Sequence, residues 1–302
     1  MRQRRTHGFF LLFLFYIYPL TMRGIMDRYR LERYPCARTP TSSLYLGTDL
    51  TTGERIAVKV VDGSTPSGRR RVQQTLHGIQ MVSQVGRHTG IVGVRGAYEV
   101  DAKAYVVMDY MTGGSLLDYI TRRGPLGEAV AAAVMSQLLV AVAHLHSFGV
   151  MHRDLKTENV LIRLPGDHWG PPTSVCICDF GFATSNIPNG ECVGSPQYSA
   201  PEVAMVGIRK CKLAECDCTY DEKCDVWSLG VVAYAILSGV LPFDGSTPTE
   251  VFTNVLRHNI PFPRAAWQNV SEVAKDFVLF LMTPEPSKRP SALQSLEHPW
   301  LI

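Results

Sequence analysis

One short segment combines side chains that could act together on a phosphoryl group. Residues 152–159 read His-Arg-Asp-Leu-Lys-Thr-Glu-Asn, and Asp179 opens an Asp-Phe-Gly triplet 20 residues after Asn159. Asp154 and Lys156 can orient a hydroxyl and neutralise a transferring phosphoryl group. Asn159 and Asp179 offer the hard oxygen ligands that Mg²⁺ prefers. Each motif is weak by itself, but their order and spacing together indicate phosphoryl transfer.

The full set of motifs resembles that of the eukaryotic protein kinases. Ile-Ala-Val-Lys ends at Lys59 on a predicted strand, and Ala-Pro-Glu ends at Glu202. The resemblance extends from about Tyr29 to Ile302, and its last third is most similar to the calcium/calmodulin-dependent kinases. It implies a bilobal α+β fold and transfer of the γ-phosphate of ATP, with Mg²⁺, to Ser or Thr hydroxyls of protein substrates. Lys156 is typical of Ser/Thr kinases rather than Tyr kinases.

The resemblance also implies a role for each matching residue. Asp154 would orient the substrate hydroxyl, Lys156 would lie beside the γ-phosphate, and Lys59 would pair with the α- and β-phosphates. Asn159 and Asp179 would hold the metal ions. The other residues expected at the ATP site are Leu44, Ala57, Met108, Asp109 and Met111. Glu202 and Arg289 match the family's buried ion pair, which we interpret as structural.

Two hydrophobic patterns predict the elements that must hold these side chains. From about residue 29 to 110, short alternating runs such as 56–61 and 104–108 predict an antiparallel sheet, with one helix over 69–85. This part is the expected N-lobe. After a Gly-Gly break, a larger and mainly α-helical C-lobe is expected at about 111–302. Its predicted helices cover residues 128–146, 225–238, 248–257 and 272–282.

Composition and charge exclude two classes of protein. A hydrophobic share of 46% over 302 residues excludes a disordered chain. A net charge of +3 is too small for a protein that binds nucleic acid chiefly through its phosphates. Seven of the eight cysteines lie within residues 176–224, which is no disulfide framework for the whole domain. We therefore expect reduced thiols in a cytoplasmic protein; the oligomeric state is not indicated.

Residues 1–25 form a basic and apolar leader ahead of an expected domain at 26–302. The apolar run at residues 9–20 is too short for a ~20-residue membrane span, and no small-residue cleavage site follows it. Three interpretations stay open: translation beginning at Met22 or Met26, a membrane anchor, and a cleaved signal peptide. Membrane contact is expected only if this apolar run belongs to the protein.

The loop that should cover the phosphates has lost its glycines. A Gly-x-Gly-x-x-Gly pattern is expected just before Tyr45, but its glycine positions hold Ala37, Thr39 and Ser42, with Pro40 among them. Side chains hinder the approach of the main chain to phosphate, and proline has no amide donor. We therefore expect weak binding of ATP.

The helix over 69–85 lacks the glutamate that should pin Lys59. No Asp or Glu occurs between residues 63 and 98, and our alignment puts Gly78 at the glutamate position. An amide of Gln74 or Gln80 would be a poorer partner for an ammonium group than a carboxylate. The other interpretation is that Asp62 or a shifted helix register replaces the missing pair.

These losses leave two functions open. The first is an active Ser/Thr kinase with relaxed nucleotide binding, and the second is a pseudokinase that works as a scaffold or allosteric partner. The four intact groups for phosphoryl transfer favour the first, because a scaffold would not need them all. These groups are Asp154, Lys156, Asn159 and Asp179.

The segment after Asp179 predicts regulation and substrate preference. The family's activating phosphosite lies four residues before Ser195, where this chain has Glu191. A carboxylate there already places negative charge opposite Arg153, so we expect activity without phosphorylation of the segment. The other interpretation is a solvated loop glutamate. Glu158 predicts a modest preference for basic residues upstream of the target.

Two further expectations concern the end of the chain and the cysteines. The sequence stops two residues after Trp300, so no calmodulin-binding or autoinhibitory tail is expected. Four thiols could bind Zn²⁺, but their spacing lacks the paired hooks of common structural sites, which favours free thiols. They belong to Cys211, Cys216, Cys218 and Cys224.

Overall fold

Two sets of elements, a strand-rich one followed by a helical one, make up the computed structural model of the protein. It describes residues 22–163, 172, 174–185, 187, 189–211 and 219–302. The strands are β1 (Tyr29–Leu31), β2 (Ala37–Arg38), β3 (Ser42–Asp49), β4 (Arg55–Asp62), β5 (Val94–Val100), β6 (Lys103–Asp109), β7 (Val160–Ile162) and β8 (Val175–Ile177). The helices are α1 (Met22–Arg28), α2 (Pro66–Val85), α3 (Leu116–Arg123), α4 (Glu128–Ser147), α5 (Pro201–Cys211), α6 (Lys223–Ser238), α7 (Pro248–Arg257), α8 (Arg264–Trp267), α9 (Glu272–Leu281) and α10 (Ala292–Ser295).

The N-lobe is an antiparallel sheet with the strand order β1-β3-β4-β6-β5, and β2 pairs with β3. Along β4, Ile56 and Val58 are fully buried on one face of the sheet. Because successive side chains of a strand point to opposite faces, Ala57 and Lys59 share the other face. This alternation presents the predicted nucleotide-binding residues together. The α+β fold class and the antiparallel sheet are therefore confirmed.

Helix α1 extends the folded region beyond the start expected from the sequence. Ile25 is 1% exposed and belongs to the same apolar cluster as Tyr29, Ile56 and Val58. The expected boundary between residues 25 and 26 therefore falls inside α1. A chain that began at Met26 would lack a core side chain of the N-lobe.

Helix α2 is the single helix expected among the N-lobe strands, and it begins three residues earlier than the periodicity predicted. Thr65 caps it by accepting a hydrogen bond from the Gly68 amide at 3.0 Å, and Pro66 occupies the first turn. Proline is common at this position, because an amide hydrogen there would have no partner within the helix. Val72 and Leu76 pack against the sheet, which fixes the helix beside Lys59.

The C-lobe contains the long helices that the sequence predicted. Helix α6 is buried from Cys224 to Ser238, consistent with a helix that is apolar on most sides. Within the described part of the chain, α4 alone is long and apolar enough to cross a membrane by length and composition. In this fold its inner residues, such as Leu138 and Leu139, are fully buried in the core of the lobe.

The predicted ion pair between Glu202 and Arg289 lies in the interior of the C-lobe. Two parallel hydrogen bonds join the groups, from Nη1 to Oε1 at 2.7 Å and from Nη2 to Oε2 at 2.9 Å. Arg289 also donates to the carbonyl oxygens of Thr283 and Lys223 at 2.8 and 2.9 Å. The bidentate geometry and the added acceptors are what a buried charge pair requires.

Candidate active site

Strand β4 brings Lys59 into direct contact with Asp179. The ammonium Nζ donates to both carboxylate oxygens, at 2.7 and 2.6 Å. Burial acts to raise the pKa of Asp179, but the charge and hydrogen bonds of Lys59 outweigh it, so the pKa lies below its ordinary value. The two residues are 120 positions apart in the chain. Asp179 therefore occupies the place beside Lys59 that the family pattern gives to a glutamate of α2.

Helix α2 offers Lys59 no charged partner among the described residues. Thr75 and Ile79, one turn apart, line a small cavity with Lys59, Asp179 and Phe180. The expected position of the missing glutamate is thus wrong by one residue, because Ile79 and not Gly78 faces this cavity. Gly78 lies instead against the main chain that follows Asp179.

Two of the alternative partners expected for Lys59, Asp62 and Gln80, lie elsewhere. The Asp62 carboxylate accepts a hydrogen bond from the Ser64 amide at 2.8 Å and sits at the exposed end of β4. Gln80 is exposed on the outside of α2. Lys59 is held by Asp179 instead.

The catalytic loop holds Asp154 through a dense set of hydrogen bonds. The Asp154 side chain is 7% exposed, and its Oδ2 accepts from Lys156 Nζ at 2.9 Å and from Asn159 Nδ2 at 3.1 Å. The amide and hydroxyl of Ser195 donate to Oδ1 at 3.0 and 2.9 Å. These four donors fix the carboxylate in position.

Asp225 on α6 anchors the loop from below. Its buried carboxylate accepts hydrogen bonds from the amides of His152 and Arg153 at 2.8 and 2.9 Å, and from His146 Nε2 at 3.0 Å. Arg153 has a positive φ of 68°, a strained conformation for a residue with a side chain. The two amide contacts to Asp225 hold this conformation. Asp225 was not among the predicted site residues.

The activation segment closes onto the catalytic loop at Ser195. Lys156 Nζ donates to the Ser195 hydroxyl at 2.8 Å, so the segment contacts Lys156 and Asp154 together. Gly194 makes this approach possible. It has a φ of +89°, and a Cβ there would collide with the Arg153 carbonyl oxygen. Any residue with a side chain would therefore push the segment away from the loop.

Arg153 and Glu191 form the contact that the sequence suggested. Arg153 Nη1 lies 3.1 Å from Glu191 Oε2; the arginine side chain is 7% exposed and the glutamate 47%. Arg153 also donates to the Phe182 carbonyl oxygen at 2.7 Å and to Asn189 Oδ1 at 3.0 Å. The Tyr220 hydroxyl donates to the Glu191 carbonyl oxygen at 2.6 Å. The segment is thus tied both to the catalytic loop and to the residues that precede α6.

The turn in place of the Gly-rich loop uses its own amides. Thr39 Oγ1 accepts hydrogen bonds from the Ser42 amide at 3.0 Å and the Thr41 amide at 3.3 Å. The Thr39 amide donates to the Ser42 carbonyl oxygen at 2.9 Å, and Pro40 has no amide hydrogen. The main chain donors that would face a phosphate are therefore satisfied within the turn.

The residues expected around adenine meet where β3, β4 and β6 pair. Ala57 lies opposite Met108, and Leu44 lies opposite Lys59. The Asp109 carboxylate accepts a hydrogen bond from Arg95 Nε at 2.7 Å, and the Asp109 amide donates to the Gly93 carbonyl oxygen at 2.9 Å. Met111 is buried at the top of the C-lobe core. Of the predicted nucleotide residues, Lys59, Met108 and Asp179 line one small cavity.

Comparison with known proteins agrees with this arrangement. A family model described as a protein kinase domain matches residues 40–301. The chain belongs to the protein kinase family.

Several curated relatives are Ser/Thr kinases by name. The chain is 38% identical over 264 residues to Probable serine/threonine-protein kinase 2 of Plasmodium falciparum, covering 86% of this chain and 48% of that protein. It is 37% identical over 260 residues to Calcium-dependent protein kinase 8 of Arabidopsis thaliana, covering 85% and 46%. It is 34% identical over 263 residues to Myosin light chain kinase A of Dictyostelium discoideum, covering 86% and 83%. The chain spans about half the length of the first two relatives. The predicted resemblance to Ser/Thr kinases, including calcium-dependent ones, is confirmed.

Some residues that shape the site of this kinase domain carry no recognisable signal in the sequence. Asn189 and Tyr220 position the activation segment, yet neither belongs to a motif with a defined spacing. The place of Ile79 beside Lys59 was not predicted, because the glutamate position was assigned to the preceding residue, Gly78. The hydroxyl of Thr39 closes the phosphate-side turn by a local hydrogen bond of a kind typical of Thr in turns, and the residue type was the available signal.

Among the described residues, the thiols of Cys176, Cys178 and Cys224 are buried and that of Cys36 is exposed. Burial raises the pKa of Cys176 to about 11, and it raises that of Cys178, next to Asp179, still further. Thiols of this kind are poorly reactive because the thiolate is disfavoured. No group of three or more metal-binding side chains occurs among the described residues. Cys216 and Cys218 lie outside them, so the zinc question stays a prediction.

Proposed function

We propose that this kinase domain is an active protein serine/threonine kinase that transfers the γ-phosphate of ATP to Ser and Thr hydroxyls of proteins. The observation that carries the proposal is the arrangement around Asp154. Its carboxylate is held by Lys156, Asn159 and Ser195 at 2.9 to 3.1 Å. A scaffold that only bound partners would have no need for a carboxylate positioned in this way.

The donor set beside Asp154 fits Mg²⁺. Asn159 uses its Nδ2 to donate to the Asp154 carbonyl oxygen at 2.8 Å, so its Oδ1 is the atom that a cation would bind. Asp179 adds a carboxylate whose pKa is lowered, which keeps the group charged. These hard oxygens match the ligands that Mg²⁺ prefers. Bound Mg²⁺ supplies positive charge that neutralises the phosphates and the transferring group.

The side chains of the chain itself would then orient the reactants. Asp154 would accept a hydrogen bond from the substrate hydroxyl and later its proton, and Lys156 would offset negative charge on the transferring group. Lys59 would meet the α- and β-phosphates from β4. Because Lys59 is already bound to Asp179, it would hold that carboxylate and the phosphates on one side of the cleft.

The exposed carboxylate of Glu158 supports a preference for basic substrates. Its Oε2 accepts a hydrogen bond from the Thr157 hydroxyl at 3.0 Å, and the Tyr198 hydroxyl lies 3.5 Å away. These contacts orient the carboxylate while leaving it open to solvent. A positively charged residue upstream of the target hydroxyl would gain a partner there. We propose a modest preference, since a single exposed carboxylate carries it.

The test is phosphotransfer by the full chain to a basic Ser/Thr peptide with Mg²⁺ and ATP. Asp154→Ala should lower kcat by at least ~100-fold, the usual contribution of a positioned general base. Asp27→Ala, which removes an exposed aspartate of α1, is the matched control and should leave kcat unchanged. Nucleotide binding is followed in parallel by thermal shift.

Two outcomes contradict the proposal. Phosphotransfer that survives in Asp154→Ala would come from another site or a contaminant. A wild-type chain that binds nucleotide without turnover would favour the pseudokinase interpretation. A peptide series with Arg or Glu at each upstream position tests the role of Glu158, with Glu158→Gln as the variant expected to lose the preference.

A further inference from the structure

Helix α2 touches the Asp-Phe-Gly segment by main chain rather than by a charged side chain. Gly78 is buried at this contact. A Cβ built on Gly78 would overlap the carbonyl oxygen of Phe180 and would lie 2.8 Å from its carbonyl carbon. The Ala183 amide nitrogen would be 3.6 Å away. Only glycine allows the helix to come this close.

The main chain that meets Gly78 belongs to the turn that positions Asp179. The Phe180 carbonyl oxygen accepts a hydrogen bond from the Ala183 amide at 3.0 Å. The Phe180 ring is 1% exposed and packs edge-on against His152, with ring centroids 5.0 Å apart. The turn is therefore packed against the catalytic loop on one side. The helix closes its other side.

The sequence of α2 gives no local reason for a glycine here. Gly is the poorest helix former after Pro, and alanine would favour the helix more. Position 78 nevertheless lies in the third turn from the end of a 20-residue helix. Glycine at this position weakens the isolated helix, so the stabilisation that compensates for it must come from the tertiary contact.

We propose that Gly78 is a positioning residue, through which α2 holds the Asp179 turn by direct main chain contact instead of the missing ion pair to Lys59. The inference rests on the proposed phosphotransfer function and deepens it. Ile79 fills the space where a glutamate would reach Lys59, and the Lys59 ammonium donates to both carboxylate oxygens of Asp179 instead. The helix and the metal-binding carboxylate are thereby linked without a charge on α2.

The experiment places one methyl group at the contact. In Gly78→Ala the helix or the turn must move by ~1 Å, a displacement that can lower kcat/KM by about 100-fold when it reaches reacting groups. We expect that loss in peptide phosphorylation. We also expect a higher Mg²⁺ concentration for half-maximal nucleotide-induced thermal shift. A merely structural role would lower the unfolding temperature without changing this Mg²⁺ requirement.

Two variants of the neighbouring positions serve as controls. His77→Ala changes the exposed residue next to the contact and should alter neither readout by more than twofold. Ile79→Ala opens the cavity beside Lys59 while leaving Gly78 in place, and should cost less than tenfold in kcat/KM. If Ile79→Ala loses as much as Gly78→Ala, side chain packing holds the turn and the proposal is wrong. It is equally wrong if Gly78→Ala keeps full activity and the wild-type Mg²⁺ requirement.

Amide hydrogen exchange on the wild-type chain tests the same link if Gly78→Ala does not fold. Adding Mg²⁺ and nucleotide should slow exchange in residues 76–82 and 180–183 together, because the two segments share one contact. Protection of the turn with no change in the helix would overturn the inference. This readout and the Mg²⁺ titration do not require turnover, so a failure of the proposed activity remains distinguishable from a failure of the positioning role.

Discussion

Replacing Glu191 by alanine tests whether a built-in carboxylate does the work of a phosphate on the activation segment. The variant removes the carboxylate that lies 3.1 Å from Arg153 Nη1. Arg153 keeps its hydrogen bonds to the Phe182 carbonyl oxygen and to Asn189. The guanidinium loses its counter-charge but keeps hydrogen-bond partners, so we expect less than the ~3 to 5 kcal/mol of a buried charge stranded without any.

The magnitude follows from the exposure of the pair. An exposed ion pair contributes about 0.2 to 1 kcal/mol, and hydrogen bonds to charged groups contribute about 1.5 to 3 kcal/mol. Arg153 is 7% exposed and Glu191 is 47% exposed, so the contact lies between these cases. We take about 1 kcal/mol, which equals roughly a fivefold change in an equilibrium or a rate. The variant should therefore lower the stability of the ordered activation segment, relative to displaced conformations, by the same amount.

The assay is steady-state phosphorylation of a basic Ser/Thr peptide by the full chain. Glu191→Ala should lower kcat/KM about fivefold, and 0.5 M salt should shrink the difference, since the glutamate end of the pair is solvated. Glu272→Ala removes the exposed partner of Lys275 on α9 and is the control expected to have no effect. An unchanged rate, or an equal loss in the control, would refute the role given to Glu191.

Two further predictions concern nucleotide affinity and stability. Thr39→Gly removes the hydroxyl that accepts hydrogen bonds from the Thr41 and Ser42 amides, which frees these amides to bind phosphate. One added hydrogen bond contributes about 1 kcal/mol, so calorimetry should show ATP binding roughly fivefold tighter. An unchanged affinity would mean that the turn does not reach the phosphates. Glu202→Gln breaks the buried ion pair with Arg289 and should lower the free energy of unfolding by ~3 to 5 kcal/mol. The unfolding temperature should fall by about 10 °C as a result. Glu285→Gln, in an exposed ion pair with Lys288, should leave it unchanged, and a similar loss there would contradict the argument.

The catalytic loop was predictable because its chemistry is local. Asp154, Lys156 and Asn159 lie within six residues, so a short segment brings the three groups together, although distant residues hold its conformation. The helices of the C-lobe were predictable for a related reason. Their apolar residues recur at helical spacing and must face a common core, so 248–257 and α7 coincide residue for residue.

Contacts between distant segments decided the rest of the site. From the sequence, the carboxylate partner of Lys59 was expected on α2. The structure instead pairs Lys59 with Asp179, which lies 120 residues later in the chain. A helical pattern is consistent with any rotation within about one residue, so it could not separate Gly78 from Ile79. The burial of Ile25 was also not predictable, because nothing in the sequence of the leader indicates which side chain the sheet covers.

What the sequence determined by itself is therefore the order of the motifs, the type of each long element and the set of chemical groups available for phosphoryl transfer. These depend on short-range spacing and on hydrophobic periodicity. The partner of Lys59, the close contact of Gly78 with Phe180 and the closed turn at Thr39 depend on the packing of α2 and the sheet against the catalytic loop. Only tertiary structure sets those distances, because differences of about 1 Å in packing leave the hydrophobic pattern unchanged while they decide which atoms meet.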